Sequence, residues 1–315
     1  MQTLITDSPE EAAAILNSGG IVAFPTETVY GLGAAITNTE AIRQVFQAKG
    51  RPTDNPLIVH IGRVEQLGEV ARQINPAAEK LIERFFPGPL TLVLKKSPLV
   101  PEAVTAGLET VGVRCPANVV AREFLSRCST PVAAPSANLS GLPSATSWET
   151  VMKDLEGRID CILRGEPSSI GLESTIVDCS GQKPILLRAG AITLEQLQAV
   201  VGEVSAEKSD SEGTPPKSPG LKYPHYAPLA SIILCRPREA ATPRPRSAFI
   251  GMQRQAGEWE AQKICKNLEE YGRELFSFFR HCDSEGIRFI YCELPSSEGL
   301  GRAIRDRLLR AAGEE

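Results

Sequence analysis

The chain has 315 residues, 42% apolar and 23% charged, and a net charge of −4. That is length for two domains and apolar content for a core in each, while the acidic balance argues against a protein that chiefly wraps nucleic acid, although a local basic cleft would survive it. No charged start leads into an apolar run and no stretch of about 18 apolar residues occurs, so neither a signal peptide nor a spanning helix is predicted and the cytoplasm is the expected compartment.

Ser8-Pro9-Glu10-Glu11 combines an N-cap serine, a first-turn proline and a glutamate three residues on, which predicts a helix over 9–18 with Gly19 at its far end. Gly20 to Gly33 then reads as a buried strand that meets Pro25 and delivers Thr26, Glu27, Thr28 and Tyr30 at its end. Gly31 and Gly33 are expected to serve the backbone geometry of that turn. Ile42, Val45 and Phe46 give helical spacing over 39–49, broken at Gly50. A basic, proline-punctuated loop, Lys49 to Pro56, leads to the alternating strand Leu57–Ile61, which sets His60 on the face opposite Val59.

Helices are predicted at 64–73 and 76–86, then strands at 90–95 and 110–114, a helix over 118–127 and a strand over 131–134. Pro135 to Gly141 is a loop of small polar residues. Strands at 161–163, 174–177 and 185–188 and a helix opened by the capping box Thr193-Leu194-Glu195-Gln196 complete a first domain, residues 1–202. Residues 203–228 read as a linker, poor in apolar residues up to Pro219. Its far end carries Lys222, Tyr223, His225 and Tyr226, which a passive spacer does not need. Strands at 231–235, 248–252 and 288–292 alternate with helices around 268–282 and 300–309, so residues 229–315 form a small Rossmann-like α/β domain without a Gly-x-Gly-x-x-Gly.

Eight cysteines show no Cys-x-x-Cys pair and no zinc-spaced histidine, so they are expected to be reduced core residues, and no metal ligand set is identified. Lys49, Arg51, Arg114 and Arg188 are cations at strand or loop ends, and guanidinium groups suit carboxylate and phosphate oxygens. Thr28, Thr110, Ser136, Asn138, Ser140, Ser144 and Ser174 supply hydroxyls and an amide. Together they favour an anionic nucleotide plus a small polar substrate. Singly, each arginine could be a solvated cap, His60 a packing residue, and Glu173 either a general base or a surface carboxylate. There is no Walker-type phosphate loop.

Seven motifs occur in order: Pro25 to Leu32, Lys49-Gly50-Arg51 through Leu57, Pro87-Gly88-Pro89-Leu90-Thr91, Val113-Arg114-Cys115-Pro116, Pro135 to Gly141, Glu173-Ser174-Thr175-Ile176, and Leu187 to Ile192. With this pattern the chain resembles the Sua5/YrdC/YciO family, and Ser218 to Pro228 with Gly299 to Leu308 resemble its two-domain Sua5 type. The resemblance implies a YrdC-like twisted mixed parallel/antiparallel sheet with flanking helices. It also implies synthesis of threonylcarbamoyl-AMP and pyrophosphate from L-threonine, bicarbonate and ATP with Mg²⁺, feeding the transferase machinery that makes t⁶A in tRNA.

Carried over motif by motif, Thr28, His60, Arg114, Ala134 and Ser174 are expected at threonine. Arg51, Asn55, Thr110, Ser136, Ser144, Arg188 and Tyr226 are expected at the nucleotide, with Lys49, Arg51 and Arg114 supplying catalytic charge and the linker closing as a lid. The rival class is a double-stranded RNA or tRNA-binding module without synthase activity, which gives no reason for the Ser-Ala-Asn and Glu-Ser-Thr loops. A carbamoyl-phosphate-handling YrdC-like domain of a hydrogenase maturation factor would bring zinc-finger cysteine pairs that this chain lacks.

Overall fold

A computed structural model describes residues 2–206, 225–237, 239 and 241–314. Among these, a twelve-stranded mixed sheet forms the first domain and a four-stranded sheet the second. Across the large sheet the order is Leu4–Thr6, Cys161–Leu163, Val22–Phe24, Gly31–Ala35, Val132–Ala134, Ile58–His60, Thr110–Arg114, Leu90–Lys96, Thr175–Asp178, Ile185–Arg188 and Ser205–Ala206, with Ala71–Arg72 paired beside Leu90–Lys96. Parallel and antiparallel neighbours alternate irregularly. Thr175–Asp178, for example, runs parallel to Leu90–Lys96 and antiparallel to Ile185–Arg188. The small sheet is parallel throughout, in the order Ser231–Cys235, Phe289–Glu293, Ser247–Gly251, Ala261–Ile264, as a Rossmann-like unit requires.

Local chemistry places most boundaries. Ser8 caps Pro9–Asn17 by accepting from the Glu11 amide, and Asn38 caps Thr39–Lys49, which ends at Gly50 in the left-handed region (φ 61°). Thr193 and Gln196 close a reciprocal capping box on Leu194–Val201. The eight cysteines are all buried thiols, as expected.

Three expectations are corrected. The opening segment is two strands, not one: the chain reverses at 25–30 and Gly31–Ala35 returns antiparallel to Val22–Phe24. Gly31 and Gly33 do not take positive φ. They are glycine because a Cβ would meet the Phe24 ring at 2.9 Å in one case and Val132 Cγ1 at 2.5 Å in the other. The helix read over 64–73 is two short turns, 64–66 and 67–70, before the strand Ala71–Arg72, since pairing with Lys95 and Lys96 extends the sheet edge. Sequence reading also missed the strands Leu4–Thr6 and Ala261–Ile264 and the helices Glu102–Thr105 and Trp148–Leu155. Ser205–Ala206, within the expected linker, pairs with Ile185–Leu186; residues 207–224 of that linker, including Tyr223, lie outside the described residues.

The domains share a core. Val29, Leu172 and Tyr226 belong to the same buried cluster as Tyr271, Leu275, Phe276 and Ile304. Contact is close enough that a Cβ on Gly171 would strike the Arg273 backbone at 2.5 Å.

Candidate active site

One cleft collects most of the expected residues. It encloses about 700 Å³ of space including its mouth, and its lining includes Thr28, Lys49, Arg51, His60, Arg114, Ala134, Ser136, Ser144, Ser174, Arg188, His225 and Tyr226. Sheet register explains the first cluster: His60 pairs across the sheet with Arg114 on one side and Val132 on the other, so strand ends from three distant segments converge.

Arg114 is the centre of one wall. Its Nη1 donates to Thr28 Oγ1 at 2.6 Å, and Nη2 lies 2.7 Å from Glu27 Oε1 in an ion pair buried on both sides. A guanidinium carries five N–H donors, so these two contacts and the Nε bond to Gly88 O leave two that a ligand could take. Burial works to raise the Glu27 carboxyl, but the charge of Arg114 and its hydrogen bonds hold it below the ordinary value. The Thr28 hydroxyl is 2.8 Å from that of Thr26, which in turn donates to Val29 O at 2.6 Å.

His60 packs edge-on against Phe24, with ring centroids 5.6 Å apart, and its Nδ1 is 3.1 Å from Ile58 O. Burial first, then the neighbouring Arg114 charge, pull its pKa down to about 3. The ring is therefore neutral, donates from Nδ1 to that carbonyl and presents Nε2 as an acceptor. It is both the packing residue and the cleft residue that sequence reading held as alternatives.

The opposite wall is the 135–144 loop. Lys49 Nζ donates to Ser136 O at 2.6 Å and also to Asn138 O, while the Ser140 amide donates to Lys49 O at 2.9 Å. Burial, then the Arg51 charge, hold the Lys49 amine well below its ordinary value. Its hydrogen bonds hold loop carbonyls, so the side chain shapes this wall. Arg51 Nη2 donates to Pro56 O at 3.0 Å, and Arg188 reaches Ser174 through Nε to the carbonyl at 3.1 Å and Nη2 to the hydroxyl at 3.3 Å. Ser174 Oγ also lies 2.8 Å from Thr91 Oγ1.

Two expected nucleotide residues lie off the cleft lining. Thr110 borders a separate small pocket with Thr91, Thr105 and Ile176. Asn55 is buried behind Arg51, whose Nε donates to Asn55 O, and both polar atoms of its side chain lack a protein partner.

Glu173 is neither a surface carboxylate nor poised as a base. It is 6% exposed; Oε1 accepts from Ser144 Oγ at 2.5 Å and Oε2 from Arg307 Nε at 2.8 Å. Burial raises its carboxyl, but Arg307, Arg188 and these hydrogen bonds bring it below the ordinary value. Sequence reading missed the pairing of Glu27, and it missed Arg307 and Arg280. The signal for Arg307 was a charge inside the apolar stripe Ala303, Ile304, Leu308, Ala311. Arg280 donates to Pro143 O and, through two nitrogens, to Asp154.

From the linker, His225 and Tyr226 close the far end of the cleft. Tyr226 stacks on Phe276 with centroids 5.3 Å apart, and the Ala227 amide donates to Gly141 O. His225 Nε2 is buried without a protein partner, and burial, then Arg51, lower its pKa to about 4.

Residues 14–190 match the family model described as "Telomere recombination", that of Sua5, YciO and YrdC, and residues 192–313 match "Threonylcarbamoyl-AMP synthase, C-terminal domain". The threonylcarbamoyl-AMP synthase of Pyrococcus abyssi is 43% identical over 96% of this chain and 93% of its own length; that of Bacillus subtilis is 43% identical over 98% and 95%. The solved structure of P. abyssi Sua5 complexed with L-threonine superposes with a TM-score of 0.90 at 39% identity, covering 99% of this chain and 97% of that one.

Proposed function

The chain belongs to the Sua5/YciO/YrdC family and carries the C-terminal domain of its threonylcarbamoyl-AMP synthases, and from that premise we propose how its cleft performs the synthase reaction. The enzyme is a nucleotidyltransferase that joins L-threonine, bicarbonate and ATP into threonylcarbamoyl-AMP with release of pyrophosphate. The observation that carries the assignment to this cleft is the meeting of Arg114, Thr28 and neutral His60 on one wall with Arg51, Ser136, Ser144 and Arg188 on the other.

Arg114 offers its remaining donors to the threonine carboxylate, and His60 Nε2 accepts from the threonine hydroxyl or amine. A histidine this weakly basic recognises rather than deprotonates. The neutral amine attacks the carbon of bicarbonate with loss of water, or of CO₂ with loss of a proton to solvent, and the resulting carbamate oxygen attacks the α-phosphorus of ATP as pyrophosphate leaves in line. Arg51 and Arg188 offset charge that develops on the phosphates. Glu27 and Glu173 are both ion-paired and neither is set up as a base, so positioning carries much of the acceleration. His225 and Tyr226 keep water from the carbamate and the mixed anhydride.

No described group of three or more His, Cys, Asp and Glu residues forms a metal cage. Mg²⁺ brought with ATP would offset phosphate charge beside Arg51 and Arg188. The product is an activated carbamoyl group, and the family resemblance supports a transferase acting on tRNA as its consumer. A separate role as an RNA-binding module is not favoured, since relatives named as synthases align with nearly the whole chain. Among the described residues no helix is long and apolar enough to cross a membrane.

The test is a product assay with each substrate left out in turn. Threonine, bicarbonate and ATP together are expected to yield pyrophosphate and a threonine-dependent adenylate by mass spectrometry, and omission of threonine is expected to abolish both. Pyrophosphate release indifferent to threonine would refute the assignment.

A further inference from the structure

Arg307 is the bulkiest fully buried side chain among the described residues, and it comes from the C-terminal domain. A guanidinium taken wholly out of water between Ile304 and Leu308 costs free energy that an apolar residue of like volume would not. Its contacts show what that cost secures. Nε donates to Glu173 Oε2 at 2.8 Å, Nη2 to Ala189 O at 3.0 Å and Nη1 to Asp306 Oδ2 at 2.5 Å, and Cζ lies 5.3 Å from the Tyr226 ring centroid.

Arg307 itself does not line the cleft, yet three of these four partners, all but Asp306, are lining residues or the neighbour of one. Glu173 fixes the Ser144 hydroxyl, Ala189 follows Arg188 directly, and Tyr226 is the linker's aromatic wall. By contrast, Arg114 takes its polar contacts from Glu27, Thr28 and Gly88 O, and His60 from Ile58 O. The Ser174 hydroxyl is held by Thr91 and Arg188. The threonine wall is thus braced within the first domain, whereas the nucleotide wall, held in part by Lys49 and the contacts of Arg51, takes a further brace from the second.

We propose that Arg307 is a positioning residue for the nucleotide: the C-terminal domain inserts it behind the cleft to fix Ser144, the turn after Arg188 and Tyr226, so that this domain sets ATP affinity without setting threonine affinity. The inference rests on the synthase reading for the identity of the two ligands, and binding measurements keep its test separate from turnover.

In the full-length protein, Arg307→Met, Arg307→Lys and the double variant Glu173→Gln with Arg307→Met are compared by titration with a non-hydrolysable ATP analogue and, separately, with L-threonine. The double variant leaves no uncompensated carboxylate, so it keeps the comparison available where Arg307→Met alone fails to fold. The Kd for the analogue is expected to rise about tenfold or more in Arg307→Met and in the double variant, with the Kd for threonine held within about twofold. Arg307→Lys is expected to recover part of the loss, because the charge beside Glu173 returns without the fork that also reaches Ala189. A folded double variant with unchanged analogue affinity would overturn the proposal. So would an equal loss for both ligands, which is what a merely structural arginine would give. Wild-type protein that binds both ligands but yields no threonine-dependent product would remove the synthase reading and leave the positioning result standing on its own.

Discussion

Arg114 carries the most demanding chemistry of any single residue in the cleft, because it is buried at 4% exposure, paired with Glu27 and still offers donors. Arg114→Lys keeps a charge but loses the fork, and kcat/KM for threonine is expected to fall on the order of 100-fold, with the ATP KM much less changed. Arg114→Ala leaves Glu27 buried and unpaired, and denaturant unfolding is expected to show a loss of roughly 3–5 kcal/mol. His60 makes a pH signature. Its pKa falls from 6.5 to about 3 on folding, so the unfolded chain binds the proton first as the solution is acidified. Its stability contribution is complete above about pH 6.5 and declines from there towards pH 3, and His225, lowered from 6.5 to about 4, acts in the same direction. Glu27 and Glu173, lowered from 4.5, add their loss only below that value. The thermal midpoint should therefore drop between about pH 6.5 and 4.5, less steeply in His60→Gln. A flat profile over that interval would contradict two histidines buried neutral.

At the scale of elements, the hairpin Val22–Phe24 with Gly31–Ala35 depends on glycine for space. Gly33→Ala drives a methyl towards Val132 Cγ1 and is expected to cost about 1–3 kcal/mol in denaturant unfolding, while leaving substrate KM values near wild type in the folded fraction. The linker end gives the opposite split. His225→Ala with Tyr226→Ala is expected to cut turnover more than tenfold, with hydrolysis products of the adenylate rising relative to intact product. Proportional loss of both would mean the segment tethers without covering. The hairpin shows where element reading failed: Gly31-Leu32-Gly33 has poor strand propensity, and only the packing of Phe24 and Val132 against it makes the glycines necessary.

On the scale of the whole molecule, the shared cluster around Val29, Leu172, Tyr226 and Phe276 joins the two domains into one folding unit. A single calorimetric transition is expected, with the calorimetric and van't Hoff enthalpies equal; two resolved transitions would show that the domains are independent. The sequence by itself determined the helix caps, the alternating strands, the buried thiols and the family motifs, because each is written in residues a few positions apart. It also carried the residue types of the cleft, from Thr28 and Arg51 to Arg188. Only the tertiary structure decided which charges are already spoken for: Glu27 by Arg114, Glu173 by an arginine 134 residues away in the other domain, and Lys49 by loop carbonyls. Local periodicity records whether a side chain is buried. What it is buried against depends on sheet order and domain packing, and in a desolvated site that partner decides whether a carboxylate is a base, a ligand or a brace.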